Sequence, residues 1–197
     1  MRTPTWTIVL GAALAALILG LAFMQAFGGW TRDGVLAGAA ITARWAFPWF
    51  IAAWSASSLA KLWPGGWRTA LLRRRRAVGL AFAANHFVHL GFVVAAVSQF
   101  GETRPLFVYL AGGGAYLMIA AMALTSNDAA QRWMGPKGWR LLHAMGGWWV
   151  LIIFANSYVA RLMAKPAIAG PAVVLIVAAL GLRIAAAVKG RSQAQAA

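Results

Sequence analysis

Six stretches of this chain are apolar over a length that crosses a bilayer: residues 6–27, 35–63, 77–100, 105–124, 139–160 and 167–188. The hydrocarbon layer is about 30 Å deep, which a helix of about 20 apolar residues spans. Inside it a backbone amide has no water to bond to, so each crossing segment must satisfy its own hydrogen bonds as a helix. The expected fold is therefore all-α: an integral membrane six-helix bundle, one domain over residues 1–197. Composition agrees. The chain is 62% hydrophobic and 11% charged, with a mean hydropathy of +0.71, against about a quarter charged in soluble domains. Arg2 ahead of the first stretch resembles the start of a signal peptide, but the apolar part is too long for one, so an uncleaved first helix is expected.

The turns are legible from small and polar residues. Gly28-Gly29-Trp30-Thr31-Arg32-Asp33-Gly34 separates the first two spans, and Pro64-Gly65-Gly66 ends the second, inside which Pro48 predicts a kink. Arg73–Arg76 leads into the third span, Pro105 suits the first turn of the fourth, and Thr125-Ser126-Asn127-Asp128 reads as a cap followed by a basic loop to Gly138. The tail from Ser192 onward is polar and predicted to fray.

The net charge of +15 raises the question of nucleic acid. Its placement answers it, because the bases flank apolar spans and line no soluble face. Six spans put both termini on one side. That side collects thirteen of the eighteen Lys and Arg residues: Arg2, Lys61, Arg68, Arg73–Arg76, Arg132, Lys137, Arg140, Arg183, Lys189 and Arg191. The other side has Arg32, Arg104, Arg161 and Lys165, while Arg44 lies within a span. The positive-inside rule then predicts a multi-pass protein of the bacterial inner membrane with both termini cytoplasmic. The Arg73–Arg76 run is a topology anchor on this reading, with anionic lipid or an acidic partner as a secondary role.

Cysteine is absent, which excludes disulfides and thiolate-held metals. Only Asp33, Glu102 and Asp128 are acidic, too few for carboxylate-pair catalysis or a proton relay. What remains is histidine. His86 and His89 stand at i and i+3 in the third span, on one helical face, and His143 opens the fifth. An ionisable group inside a membrane is costly and marks a candidate functional site. Imidazoles without acids suit a b-type haem held between helices, for which His89 and His143 are the candidate iron ligands and His86 a substitute. Ordinary interhelical hydrogen bonding explains His86 equally well. Gly146 and Gly147, on the face of His143, and Gly112-Gly113-Gly114 would let helices approach or stand around a flat ring.

Arg75-Arg76-x-x-Gly79-Leu80-x-Phe82, with His89 thirteen residues after Arg76, resembles the third helix of the ferric-reductase-like transmembrane superfamily. Leu124-Thr125-Ser126-Asn127, then Arg132-x-x-Gly135 and Trp139-x-x-Leu142-His143, is similar to its helix 4–5 connection. Arg44-Trp45-Ala46 followed by Ser57-Ser58-Leu59-Ala60-Lys61 is similar to its second helix. The likeness spans roughly residues 35–190 and is closest to the small six-helix branch typified by the haem-binding membrane subunit of the periplasmic methionine-sulfoxide reductase system. It implies a haem-carrying bundle that passes electrons across the membrane to a periplasmic acceptor, with a reductase partner there. Larger relatives append flavin and nicotinamide domains. Without them electrons would come from a quinol or a separate flavoprotein; FMN is compatible with this scheme but has no residue here behind it. Arg44 would pair with a haem propionate, or snorkel to the headgroups.

One position departs from the pattern. The family's second fifth-helix histidine, thirteen residues after the first, is Asn156 here. At 1.5 Å per residue His89 lies about 20 Å beyond Arg76, and His143 only about 5 Å beyond Arg140. Axial ligands of one haem must share a depth, so these two are poor partners in straight helices. The expectations are one haem with a single strong ligand, a site completed by His86, or loss of the haem. In the last case the chain is a non-enzymatic membrane scaffold or interaction protein. A small transporter is a third class, disfavoured by the shortage of acids.

Overall fold

A computed structural model of the chain describes residues 4–195. Arg2, counted above among the bases, and residues 196 and 197 of the tail lie outside the described residues. Six helices follow one another: α1 Thr5–Ala26, α2 Arg32–Leu62, α3 Gly66–Phe100, α4 Leu106–Leu124, α5 Asp128–Val159 and α6 Pro166–Gln195. All six are long and apolar enough to cross a membrane, and the described residues contain no strand. The protein is an all-α, multi-pass membrane bundle.

Caps explain the helix limits. Thr31 Oγ1 accepts from the Gly34 amide at 3.2 Å to start α2, and Asn127 Oδ1 accepts from the Ala130 amide at 2.8 Å to start α5. Gly101, with φ of 64°, ends α3 in the left-handed conformation that glycine adopts without strain. Several helices outrun the apolar stretches. The arginine run is helical, because α3 begins at Gly66 and carries Arg73–Arg76 on its surface. The basic segment expected as a loop after Asp128 is helical too, bent at Gly135 (φ 68°, ψ 161°) just before Pro136. The tail expected to fray stays helical to Gln195, and α2 runs on through Pro48.

Two packing regimes make up the bundle. On one side α1, α2 and α3 meet closely, with α2 against α3 the most extensive interface. Their contact stripes are small: Ala12, Ala16 and Gly20 on α1, Gly38, Ala39, Thr42 and Ala46 on α2, Ala77, Ala81 and Ala96 on α3. The large side chains of α1, including Leu10, Leu14, Ile18 and Leu21, point outward. This is the logic of association in lipid, where apolar bulk gains nothing by turning inward and small residues let backbones approach. Phe92 closes the junction. A Cβ on Gly20 would stand 2.5 Å from its ring and one on Gly38 2.6 Å.

On the other side the helices stand apart and aromatic rings span the gaps. Phe47 and Phe50 of α2, Phe82 of α3 and Phe154 and Tyr158 of α5 form one cluster, with centroids of 5.1 Å for Phe47–Phe154, 4.9 Å for Phe47–Tyr158 and 5.2 Å for Phe50–Phe82. Helix α6 seals it with Ala169, Ala172, Ile176 and Ala179. Helix α4 is the most loosely held: it leans on α5, touches α3 lightly and buries only Ala115 and Ile119. Gly38→Val should therefore cost about 1–3 kcal/mol of stability, the scale of overpacking. Gly112→Ala, whose added methyl meets nothing within 4 Å, should change it by less than about 0.5 kcal/mol; thermal unfolding in detergent compares the two.

Candidate functional site on the third helix

Position along α3 sets which neighbours each polar side chain meets. Asn85 falls on the stripe of Ala77, Ala81, Phe92 and Ala96 that is buried in the bundle. His86 and His89 fall on an adjoining face with Phe82. There His86 is ringed by aromatics: Phe82 at 5.3 Å, His89 at 5.1 Å, Tyr116 of α4 at 5.0 Å and Phe154 of α5 at 5.7 Å between centroids. Its Nδ1 and the Tyr116 hydroxyl are both buried without a hydrogen-bond partner, as are both amide atoms of Asn85 and the Ser55 hydroxyl. Buried polar groups are nearly always satisfied, so the facing imidazole and phenol have bonding capacity open to a water or a ligand atom.

His89 is oriented from behind. Its Nδ1 lies 3.4 Å from Thr42 Oγ1, and that hydroxyl is fully buried on α2. The Thr42 hydroxyl sits 2.8 Å from the Gly38 carbonyl and 3.0 Å from the Ala39 carbonyl, so its proton is committed to the backbone. Oxygen can then only accept from the ring. A hydrogen bond across this contact corresponds to the Nδ1–H tautomer, which leaves the Nε2 lone pair unused, as in a ligating imidazole held by an outer hydrogen bond.

The other candidates are elsewhere. His143 stacks on Trp139 at 4.0 Å, with Nε2 3.5 Å from Thr125 Oγ1 at the C-terminal end of α4. Thr42 lies in the opposite half of the bundle, so His89 and His143 are not brought together. Arg44 is half-buried on α2, about 200° round the helix from Thr42 and one turn from Phe47; it shares no face with the His89 contact and makes no ion pair among the described residues. Asn156 is exposed on the outside of α5, where the sequence placed it opposite His89, and Phe154 holds the inward position. The glycines admit neighbours: a Cβ on Gly146 would meet Met122 Sδ at 2.7 Å, one on Gly147 Trp54 at 3.3 Å and one on Gly114 Trp149 at 2.9 Å. Among the described residues no three His, Asp or Glu side chains form a metal-sized group.

No family model, curated protein or solved structure matches the chain. The site must be judged on its own chemistry.

Judged so, the residues offer a haem one imidazole, that of His89, and do not fit one held by imidazoles from α3 and α5. The Tyr116 ring of α4 stands 6.5 Å from that of His89, so a porphyrin on this side would displace it, and the contact between α3 and α4 that holds it there is small. Across the bundle, the rings of Phe82 and Phe154 fill the volume a two-sided site would need. Reasoning from sequence missed Thr42 and Tyr116. Each is a lone hydroxyl in an apolar stretch, which is the one signal that marks them. Asn85, buried with four unused bonding positions, should behave as a cost: Asn85→Leu should raise the thermal midpoint by several degrees, and a fall would show that the amide has a partner.

Proposed function

We propose that this chain is a haem-binding electron-transfer protein of the bacterial inner membrane, related in design to the ferric-reductase-like bundles. A single b-type haem would be held from α3 by His89, and both termini would be cytoplasmic. The observation that carries the reading is the Thr42–His89 contact, which orients the ring from α2 through Nδ1 and leaves Nε2 without a hydrogen-bond partner. The facing pair of unsatisfied atoms at His86 and Tyr116 supports it. When bound, the haem would supply one-electron chemistry; His89 would hold its iron, and the aromatic box would keep water away from it. The bias of bases toward the end that carries Arg73–Arg76 supports the orientation. Quinol or a separate flavoprotein is the donor class, and a periplasmic reductase the acceptor class.

A second reading is favoured by Phe154 and Asn156. A bundle whose fifth helix turns a phenyl ring inward and its amide outward, at the depth where a second ligand would stand, has the form of a scaffold that kept the fold and lost the cofactor. One preparation separates the two. Protein expressed with added haem precursor should show a Soret band and a reduced-minus-oxidised spectrum of b type, with a pyridine haemochrome ratio of about one haem per chain. His89→Ala should lose most of that haem, Thr42→Val about 10–100-fold in affinity, and His86→Ala less than either. A colourless protein favours the scaffold, whereas equal losses at residues 86 and 89 would contradict the ranking of the two histidines.

A further inference from the structure

The arginine run divides at the surface of α3. Arg76 turns to α5 and pairs with Asp128 at 2.5 Å. Arg75 turns the other way, into a cleft of about 250 Å3 between α2, α3 and α6. Lys61 and Arg183 line the same cleft, together with Ser57, Ser58 and Trp54, and no acid does. The ion pairs among the described residues engage Arg32, Arg76 and Arg104, leaving Lys61, Arg75 and Arg183 with none.

Neutral groups hold these cations in position without neutralising them. The Arg75 guanidinium donates to Ser57 Oγ at 3.0 Å. The Arg183 guanidinium lies over the Trp54 indole at 4.5 Å and beside that of Trp148 at 5.5 Å. Lys189 donates from Nζ to the carbonyls of Lys61 and Leu62, at 3.1 and 3.0 Å, which ties the end of α2 to α6 and fixes the backbone that carries Lys61. Three like charges that line one cleft repel one another, and an anion among them would relieve that repulsion. The donors are already oriented, two hydroxyls stand with them, and the volume falls below the 300–1,000 Å3 or so of pockets that enclose whole small molecules. Exposed Ile184 and Val188 continue along α6 as an apolar surface.

We propose that this cleft binds the phosphodiester of an anionic phospholipid from the leaflet at the arginine-rich end, with its acyl chains lying outside along α6. The cleft's position fits that source: Arg183 sits within an apolar stretch of α6, whereas Lys61 is at the very end of α2, so the cations straddle the depth of the headgroups.

The full chain would be placed in nanodiscs of phosphatidylcholine with or without phosphatidylglycerol, and retained lipid counted by native mass spectrometry. The wild type should keep one phosphatidylglycerol in preference to phosphatidylcholine. Arg183→Gln and Lys61→Gln should each keep about tenfold less, the scale of one charge-assisted hydrogen bond. The double variant Arg73→Gln, Arg74→Gln removes more charge from the same end but none from the cleft, and should retain lipid like the wild type. Lys61 is exposed, so its variant reads out even where Arg183→Gln fails to fold. Equal loss in the Arg73/Arg74 variant would reduce the effect to general surface charge and overturn the proposal. So would an inorganic phosphate titration in pure phosphatidylcholine that raises the thermal midpoint as much as phosphatidylglycerol does, since the site would then be one for free phosphate.

Discussion

The structure depends on the close approach of α1, α2 and α3. In lipid there is no gain from hiding apolar surface, so helices associate through contact at short range, and short range requires small residues. Gly20 and Gly38 allow the ring of Phe92 to sit where any Cβ would collide with it. That approach also places Thr42 beside His89. A wider α2–α3 separation would carry the hydroxyl out of reach and leave the ring free to take either tautomer. Packing on one side of the bundle thus sets where the His89 ring stands and which of its nitrogens meets α2.

The far side works by a different rule. There α5 is kept at a distance from α2 and α3, and Phe47, Phe50, Phe82, Phe154 and Tyr158 bridge the space. Edge and tilted contacts between aromatic rings each add about 0.5–1.5 kcal/mol beyond their area, so a ring cluster can stabilise a gap that backbones do not close. The same rings occupy the space between α3 and α5. A cofactor held from both helices would have to displace them, whereas one held from α3 alone need only ease aside α4, which buries two residues. The asymmetry of packing accordingly makes the α3–α4 side easier to open than the α3–α5 side.

Much of this was readable from sequence, and the failures have physical causes. Span number and fold class follow from apolar length, which the bilayer enforces segment by segment. The extra turns of α3 and α5 were missed because polar residues at 66–76 and 128–138 look like loops to a hydropathy argument, yet nothing prevents a helix from continuing beyond the hydrocarbon; only Gly135 and Pro136 interrupt it. The outward turn of Asn156 was also hidden. Residues 154 and 156 lie about 200° apart on the helix, and which of them faces inward depends on the rotation of α5, set by contacts of Val150, Leu151 and Tyr158 that no local pattern specifies. His86 and His89 were visible because a titratable ring in an apolar run is rare. Thr42 was not, because a hydroxyl can return its proton to its own helix and pass unnoticed.

The two ends of the chain's chemistry are therefore organised on opposite principles. Near His89 the ring is held by a hydroxyl within the apolar span, where an added charge would be costly unless an incoming group met it. At the other end of the same helix Arg75 belongs to a set of cations kept close together by a serine, two indoles and a capped helix terminus, none of which supplies negative charge. Both arrangements are better formed than their local contacts require, and both leave bonding capacity unused. Such surplus costs stability in an isolated bundle. It is accounted for if the bundle is not isolated, and if the surrounding membrane and a redox group complete what the chain by itself leaves open.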